Sequence, residues 1–510
     1  MTLENKYTKY LRTSHTYIGL FAIVFFYIST VFGTITVFKP YINSWESPSK
    51  HFSLINQEDL NLDQLIDKGL VQLNNPTNNI KITLPSSTEK AVAIKYGFSE
   101  NVYINPHSNQ IVKAEYENSL LSTFFNQMHI NVNMSKTGQF IMGLTSISMV
   151  FLTISGIYLW LLNRKKRTKI SNFWLRWHKD LSLLILPYIL VFALTGAVLG
   201  IMLTMASPFA YSASDAKETN MSKIVRPIIF SKPTNVKSLN QPAQMKAYSY
   251  LFKKAQKNYQ DLHITDITLY NWKDKNARAV FNGYLKNNRI LTATVNRVNI
   301  VLNGVTGEIV RKKTLENSHK VSQLLSAFYF FHFISDEDIL VRILYLLVGI
   351  GFAIGLVFGL FVWIDKKVSK DEKKYFNIIT KLSAAFSIGI IPSISFTLFL
   401  YWLLPFELHN RDTWIIGGFY VLWSFTFLWS VYKSDVLDAT KTFIYLNSYF
   451  LILAVFLHGY RTDMYLWDSF NTSVNDIFYM DLSLLFFGIV SFFIAYKMNQ
   501  LKFLDRFKGY

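Results

Sequence analysis

Four histidines of this chain stand at two fixed distances from a glycine. His15 precedes Gly33 by 18 positions through HTYIGLFAIVFFYISTVFG, and His178 precedes Gly196 by 18 through HKDLSLLILPYILVFALTG. His129 precedes Gly156 by 27 positions, and His332 precedes Gly359 by 27. The latter glycines open GIYLW and GLFVW, each followed directly by a basic turn. Neutral imidazole is a metal ligand, and two imidazoles on opposite sides of one iron give a six-coordinate, low-spin centre suited to passing electrons. Paired histidines on duplicated membrane helices are the side chains that clamp haem. A plainer reading competes, because histidine at a helix end is also an ordinary interfacial residue or cap. The repeated spacing favours four equivalent positions, and the pattern alone leaves both readings open.

These residues need helices that cross a bilayer. With 51% apolar and 16% aromatic residues in 510, the chain is too large and too apolar for one soluble domain. A span needs about 20 apolar residues as helix. Uncharged apolar runs of that order occupy Tyr17–Phe38, Gly138–Leu162, Leu181–Leu203, Ile343–Ile364, Leu382–Leu404, Thr413–Tyr432 and Thr442–Leu457. Leu482–Tyr496 is shorter and abuts Asp481, and with it the expected number of spans is eight.

The net charge of +19 follows topology rather than a nucleic-acid surface. Arg164, Lys165, Lys166, Arg167 and Lys169 follow the second run; Lys366, Lys367, Lys370, Lys373 and Lys374 follow the fourth. Lys6, Lys9 and Arg12 precede the first run, and Lys497, Lys502, Arg506 and Lys508 follow the last. Alternating spans with both termini cytoplasmic place all of these inside, as the positive-inside rule requires. The first run is longer than a signal-peptide core and lacks a small-x-small cleavage site, so it reads as an uncleaved anchor. Cysteine is absent, which removes disulfides, thiolate metal sites and covalent haem attachment. Metal chemistry is left to His, carboxylate, Met or Tyr.

The expected organisation is residues 1–38 as the first span, 39–128 as an outer module and 129–204 as spans two and three. A second outer module follows at 205–331, then span four at 332–365 and a four-helix membrane region at 370–510. Both modules are polar and carry strand-like alternation: AVAIKYGF and NVYINPHSNQIVKAEY in the first, ILTATVNRVNIVLNGVTGEIVRKKT in the second. Helical candidates, Glu58–Leu73 and Gln244–Tyr259, precede these strands, so each module reads as a small α+β unit with a helix on an antiparallel sheet. Helix, module, helix, repeated once, is an internal duplication. No G-x-G-x-x-G or Walker pattern follows a strand, so no nucleotide domain is fused on.

In this topology His15 and His178 lie at the cytoplasmic edge, and His129 and His332 at the outer edge. Arg12, Arg176 and Lys179 flank the inner pair where haem propionates would need cations, or serve simply as positive-inside residues. Ser335, Asp336, Glu337 and Asp338 after His332 read as a cap with acids on the helix dipole, or as an element that tunes an outer site. His409 and His458 have no partner by spacing, and His51, His107, His263 and His319 fall in the modules as solvated residues.

RTSHTYIGL, FFNQMHI with GIYLWLLNRKKR, RWHKDLSLLILPYILVFALTG, and FYFFHF with GLFVWIDKK resemble the PepSY-associated transmembrane proteins. That family includes iron-regulated inner-membrane proteins and bacterial ferric-siderophore reductases. The resemblance spans about residues 10–365 and takes in both modules as PepSY-like. It implies two b-type haems held by His15, His129, His178 and His332, reducing chelated ferric iron on the periplasmic side of the inner membrane. The four extra helices and the missing fused flavin/nicotinamide domain depart from some members, which leaves a cytoplasmic reductase or a membrane quinol as donor. Two other functions compete: a non-enzymatic scaffold whose modules bind peptides or proteases, and a transporter using the C-terminal helices. The absence of charge inside the expected C-terminal spans counts against transport.

Overall fold

A computed structural model of the chain describes residues 3–500 apart from 88, 98–100, 113–118, 165–172, 205, 222, 224–236, 335–337 and 369–372. It comprises two compact units: residues 1–48, 116–200 and 342–510, and residues 49–115 with 201–341.

The first unit is helical. Its duplicated part holds α1 (Leu3–Thr36), the short α2 (Lys39–Trp45), α4 (Leu120–Asn131), α5 (Ser135–Arg164), α6 (Phe173–Leu184), α7 (Leu186–Thr204) and α10 (Ile339–Val368). The C-terminal part holds α11 (Lys373–Ser387), α12 (Ile390–Leu403), α13 (Arg411–Tyr432), α14 (Val436–Thr462) and α15 (Asn475–Lys497). Among the described residues seven helices are long and apolar enough to cross a membrane, or eight with one bent pair taken as a single span. That agrees with the eight expected runs.

The bent pair is the third run. Instead of one helix over Leu181–Leu203, Phe173–Leu184 and Leu186–Gly200 meet at 74°. Pro187 supplies the cause: it has no N–H for the helical ladder, and its ring crowds the carbonyl one turn back. The Tyr188 N–H donates to the Ile185 carbonyl at the break, at 3.1 Å. The eighth run also differs, extending as α15 over 23 residues from Asn475. Asp481, the acid that bounded the run, is buried inside the helix, as is Asp476 further back.

Glycine lets the two copies of the repeat approach closely, the small-residue packing common between membrane helices. A Cβ on Gly200 of α7 would stand 2.7 Å from Gly143 Cα of α5, and one on Gly349 of α10 would stand 2.9 Å from Thr34 Cγ2 of α1.

The second unit carries α3 (Leu62–Gln72), α8 (Tyr248–Asn258), α9 (Lys320–Phe333) and strands β1 (Ile80–Thr83), β2 (Val92–Tyr96), β3 (Val102–Ile104), β4 (Leu262–Tyr270), β5 (Arg278–Leu285), β6 (Val298–Asn303) and β7 (Ile309–Lys313). The two modules are not separate sheets. β1 and β4 pair antiparallel, Ile80 opposite Leu269 through Thr83 opposite Asp266, giving one seven-stranded sheet ordered β3-β2-β1-β4-β5-β6-β7. Strands of alternating pattern bury one face, and α3 and α8 cover it in a single core including Leu65, Ile66, Ile82, Leu251, Ile267 and Phe281. From the β1–β4 seam the strands run outward in chain order on both sides, three on one and four on the other, as two copies joined edge to edge would. The expected strand at ILTAT is instead a helical turn, Arg289–Thr292, where Thr292 Oγ1 donates to the Asn288 carbonyl at 2.6 Å and accepts from the Leu285 N–H at 3.0 Å.

Candidate functional site

Three of the four repeat histidines lie in the first unit, and each ring is seated on a glycine of another helix. His129, near the end of α4, packs on α1: a Cβ on Gly33 would stand 2.8 Å from its Nδ1 and Cε1. His178 on α6 packs on α10, where a Cβ on Gly359 would stand 3.1 Å from the same ring atoms. His15 on α1 packs on α5 more loosely, with Gly156 at 3.5 Å from its Cε1 by the same measure. Within the first repeat the exchange is reciprocal. His15 rests on Gly156 and His129 on Gly33, so α1 supplies a ring near one end and a seat near the other, while α4 gives the second ring and α5 the second seat. The 18 residues from His15 to Gly33 lie within the single helix α1, roughly 27 Å of rise. The 27 from His129 to Gly156 include the turn between α4 and α5.

The hydrogen bonds at these seats fix the tautomers. His129 Nδ1 lies 2.9 Å from the Ser29 carbonyl, and His178 Nδ1 lies 2.8 Å from the Gly355 carbonyl. A carbonyl only accepts, so Nδ1 carries the proton in both. Both acceptors stand one helical turn before the seat glycine, where a missing side chain lets the ring reach the backbone. His15 Nδ1 meets Ser155 Oγ at 2.8 Å. That hydroxyl donates to the Leu152 carbonyl at 3.1 Å, and so accepts from the ring. In all three, the lone pair is then on Nε2, the nitrogen that binds a metal when Nδ1–H is held by a second group.

The fold brings His15 and His178, from the two copies of the repeat, near enough for their charges to interact. His332 lies near the end of α9 in the second unit, its ring 5.4 Å from that of Phe333. Arg12 is exposed on α1, one turn before His15. Arg176 and Lys179 both face Asp180, at 3.7 and 3.3 Å. Exposed pairs of this kind contribute about 0–1 kcal/mol, so either cation can turn to another anion at little cost. The basic cluster at 165–169 and the acids at 336 and 337 lie outside the described residues.

The remaining histidines divide. His107 is exposed, with Nε2 2.8 Å from the Ser53 carbonyl, and His319 caps α9 by accepting from the Val321 N–H. His263 is half-buried against Tyr284, with ring centroids 4.8 Å apart. His458, which has no partner by spacing, has one in the fold. It is fully buried in α14, and its Nδ1 donates to Asp481 Oδ2 of α15 at 2.9 Å. Trp45 Nε1 donates to the other carboxylate oxygen at 2.8 Å. The C-terminal bundle therefore does hold an ionisable pair, placed at span edges that the run lengths had left outside.

Helix pairs duplicated in sequence, histidines seated on glycine and inter-span segments folded as an α+β sheet define a class, the multi-pass membrane proteins of helical type. Residues 12–366 match the PepSY-associated TM region, and the chain belongs to that family. No curated protein matches it. The match ends near the end of α10, so the C-terminal bundle falls beyond it.

Proposed function

We propose that the chain is a di-haem b electron carrier of the cytoplasmic membrane that reduces ferric iron chelates, such as ferric siderophores, on the periplasmic side. The observation that carries the reading is the set of seats: three repeat histidines held by Nδ1–H, which puts the lone pair on Nε2, the ligating nitrogen. His15 and His178 form the inner pair. His129 and, by its matching spacing, His332 form the outer one. Bis-imidazole haem, when bound, supplies low-spin one-electron chemistry. The chain's share is to orient each ring, fix its tautomer and keep water away. Arg12, exposed one turn before His15, is a cation for a propionate, and Arg176 or Lys179 would have to leave Asp180 to join it. One electron enters from a cytoplasmic reductase or a membrane quinol and leaves to ferric iron. The product is ferrous, which hard oxygen chelators hold less tightly.

A second reading has its own observation. The second unit has an open cleft of about 850 Å³ bordered by Asp63, Asp67, Lys246, Tyr248, Trp272 and Lys273, which suits a scaffold that binds peptides of mixed charge. Dithionite-reduced minus air-oxidised spectra of detergent-purified protein, with haem quantified per chain, separate the two. About two low-spin b-type haems per chain are expected from four imidazole ligands. A colourless protein from cells grown with ample iron overturns the reductase reading and leaves the cleft as the working part.

A further inference from the structure

The C-terminal bundle lies beyond the family match, yet its apolar core is continuous with one region of the duplicated part. Phe419 of α13 meets Phe32 of α1 and Phe124 of α4 edge-on, with ring centroids 5.9 and 5.3 Å apart. α10 adds the partly buried Ala353, Leu356 and Val357 at the edge of this core. The polar contacts concentrate on α1, α2 and α4 as well. Tyr27 of α1 donates to the Ser387 carbonyl at 2.5 Å, and Tyr420 Oη lies 3.5 Å from Met128 Sδ, next to His129.

The tightest contacts grip the end of α2. Trp45 is fully buried, its Nε1 on Asp481 and its ring 5.3 Å from that of Trp402. His458 holds the other oxygen of Asp481, so this carboxylate, costly to bury alone, has two donors. Tyr401 donates to the Glu46 carbonyl at 2.5 Å, and Arg411 in turn donates to the Tyr401 carbonyl. The Glu46 side chain then faces the other way. Its carboxyl oxygens accept from the Leu121 and Ser122 N–H groups at 2.6 and 3.1 Å, in the first turn of α4. Those N–H groups have no partner inside the helix, and Glu46 caps them from another segment. His129 lies at the far end of that same helix, and its seat on α1, Ser29 and Gly33, is interleaved with the gripped Tyr27 and Phe32.

We propose that the C-terminal bundle is a clamp that sets the geometry of the His129 seat, with Trp45, Glu46, Tyr401, His458 and Asp481 as its positioning residues. This rests on the di-haem reading for its redox consequence but not for its mechanics. Releasing the clamp loosens α4 against α1 and disturbs the outer centre more than the inner one, because the His178 seat on α10 meets only the apolar edge of this core and none of the clamp's hydrogen bonds.

The test uses the full chain in detergent, with Glu46→Ala, Tyr401→Phe and Asp481→Asn as alternatives in case one fails to fold. The chain has no natural cysteine. Nitroxides can therefore be placed at exposed Thr123 of α4 and Glu407 of the α12–α13 loop through Thr123→Cys and Glu407→Cys. Pulsed dipolar spectroscopy should show a broadened distance distribution in the variants. Redox titration followed by low-temperature EPR should show one low-spin centre shifted or lost and the other moved less. An unchanged distance distribution in all three variants, with helix content retained, overturns the clamp. So does a broadened one that leaves both centres where they were, or moves both alike. A wild-type protein without haem overturns the di-haem reading instead, and the distance arm alone then decides the clamp.

Discussion

An imidazole reaches a helix backbone only where the helix offers no Cβ, and the three seats differ in how much room they leave. The same substitution should therefore have graded effects. Alanine at Gly33 would put a methyl 2.8 Å from the His129 ring, closer than real Cβ contacts come, so either the ring or α1 must shift. At Gly359 the distance to His178 is 3.1 Å, tight but short of a clash, and at Gly156 the 3.5 Å to His15 is ordinary contact. Gly33→Ala should cost about 1–3 kcal/mol of overpacking and displace one centre, Gly359→Ala less, and Gly156→Ala almost nothing. Haem stoichiometry and the EPR signal of each centre check the order. Equal effects at all three positions would mean that the glycines serve helix packing and not the rings. The histidines were legible in the sequence because a duplication repeats their spacing. The seats were not, because Gly156 serves His15 and Gly33 serves His129, and nothing local joins a ring to a glycine on another helix. Ser29, Ser155 and Gly355 were missed for the same reason. Their one signal is a small or hydroxyl residue within a turn of each repeated glycine.

Elements carry the next set of constraints, and Glu46 shows how one side chain ties two of them together. Burial pushes its carboxyl up to about 7, against the pull of hydrogen bonds from Ser122 and Leu121 and the charge of Lys39. A pKa above the ordinary 4.5 means that the folded chain holds this proton more tightly than the unfolded one does. The resulting stability is present in full below pH 4.5 and is lost as pH rises through 7. Thermal unfolding of the protein in detergent should thus weaken across that window by this group's share, at most about 3 kcal/mol. Glu46→Gln stays neutral throughout and should flatten that part of the slope, and superimposable profiles for the two chains would refute the assignment. Run length and composition were enough to count the spans, since hydrocarbon thickness sets the length of an apolar run. They misjudged α15, because an aspartate beside an apolar run reads as its end unless its partners, here His458 and Trp45, are in view. The third span read as straight because apolarity continues through Pro187, and only the missing N–H marks the break.

At the scale of the whole molecule the same duplication was used twice with different results. In the second unit the two copies join edge to edge through β1 and β4, merging into one sheet with one core. Strand alternation announced each half, but pairing between segments nearly two hundred residues apart has no local signature. In the first unit the copies stay distinct helix pairs, and His15 and His178 approach each other across them. On the di-haem proposal, two levels of ligands, one per end of the spans, would make a path in series, so the levels should be separable in cofactor content yet inseparable in flux. His178→Ala should abolish the inner haem and keep the outer one; His332→Ala should do the reverse. Each variant should hold about one haem per chain by the bis-imidazole assignment. Neither should pass electrons from a reductant inside oriented vesicles to a ferric chelate outside. Pyridine haemochrome quantification paired with that vesicle assay decides the matter. If either substitution removes both haems, or neither does, the ligands are not divided by level. If one-haem protein still reduces the external chelate at the wild-type rate, the path does not run through both levels in series.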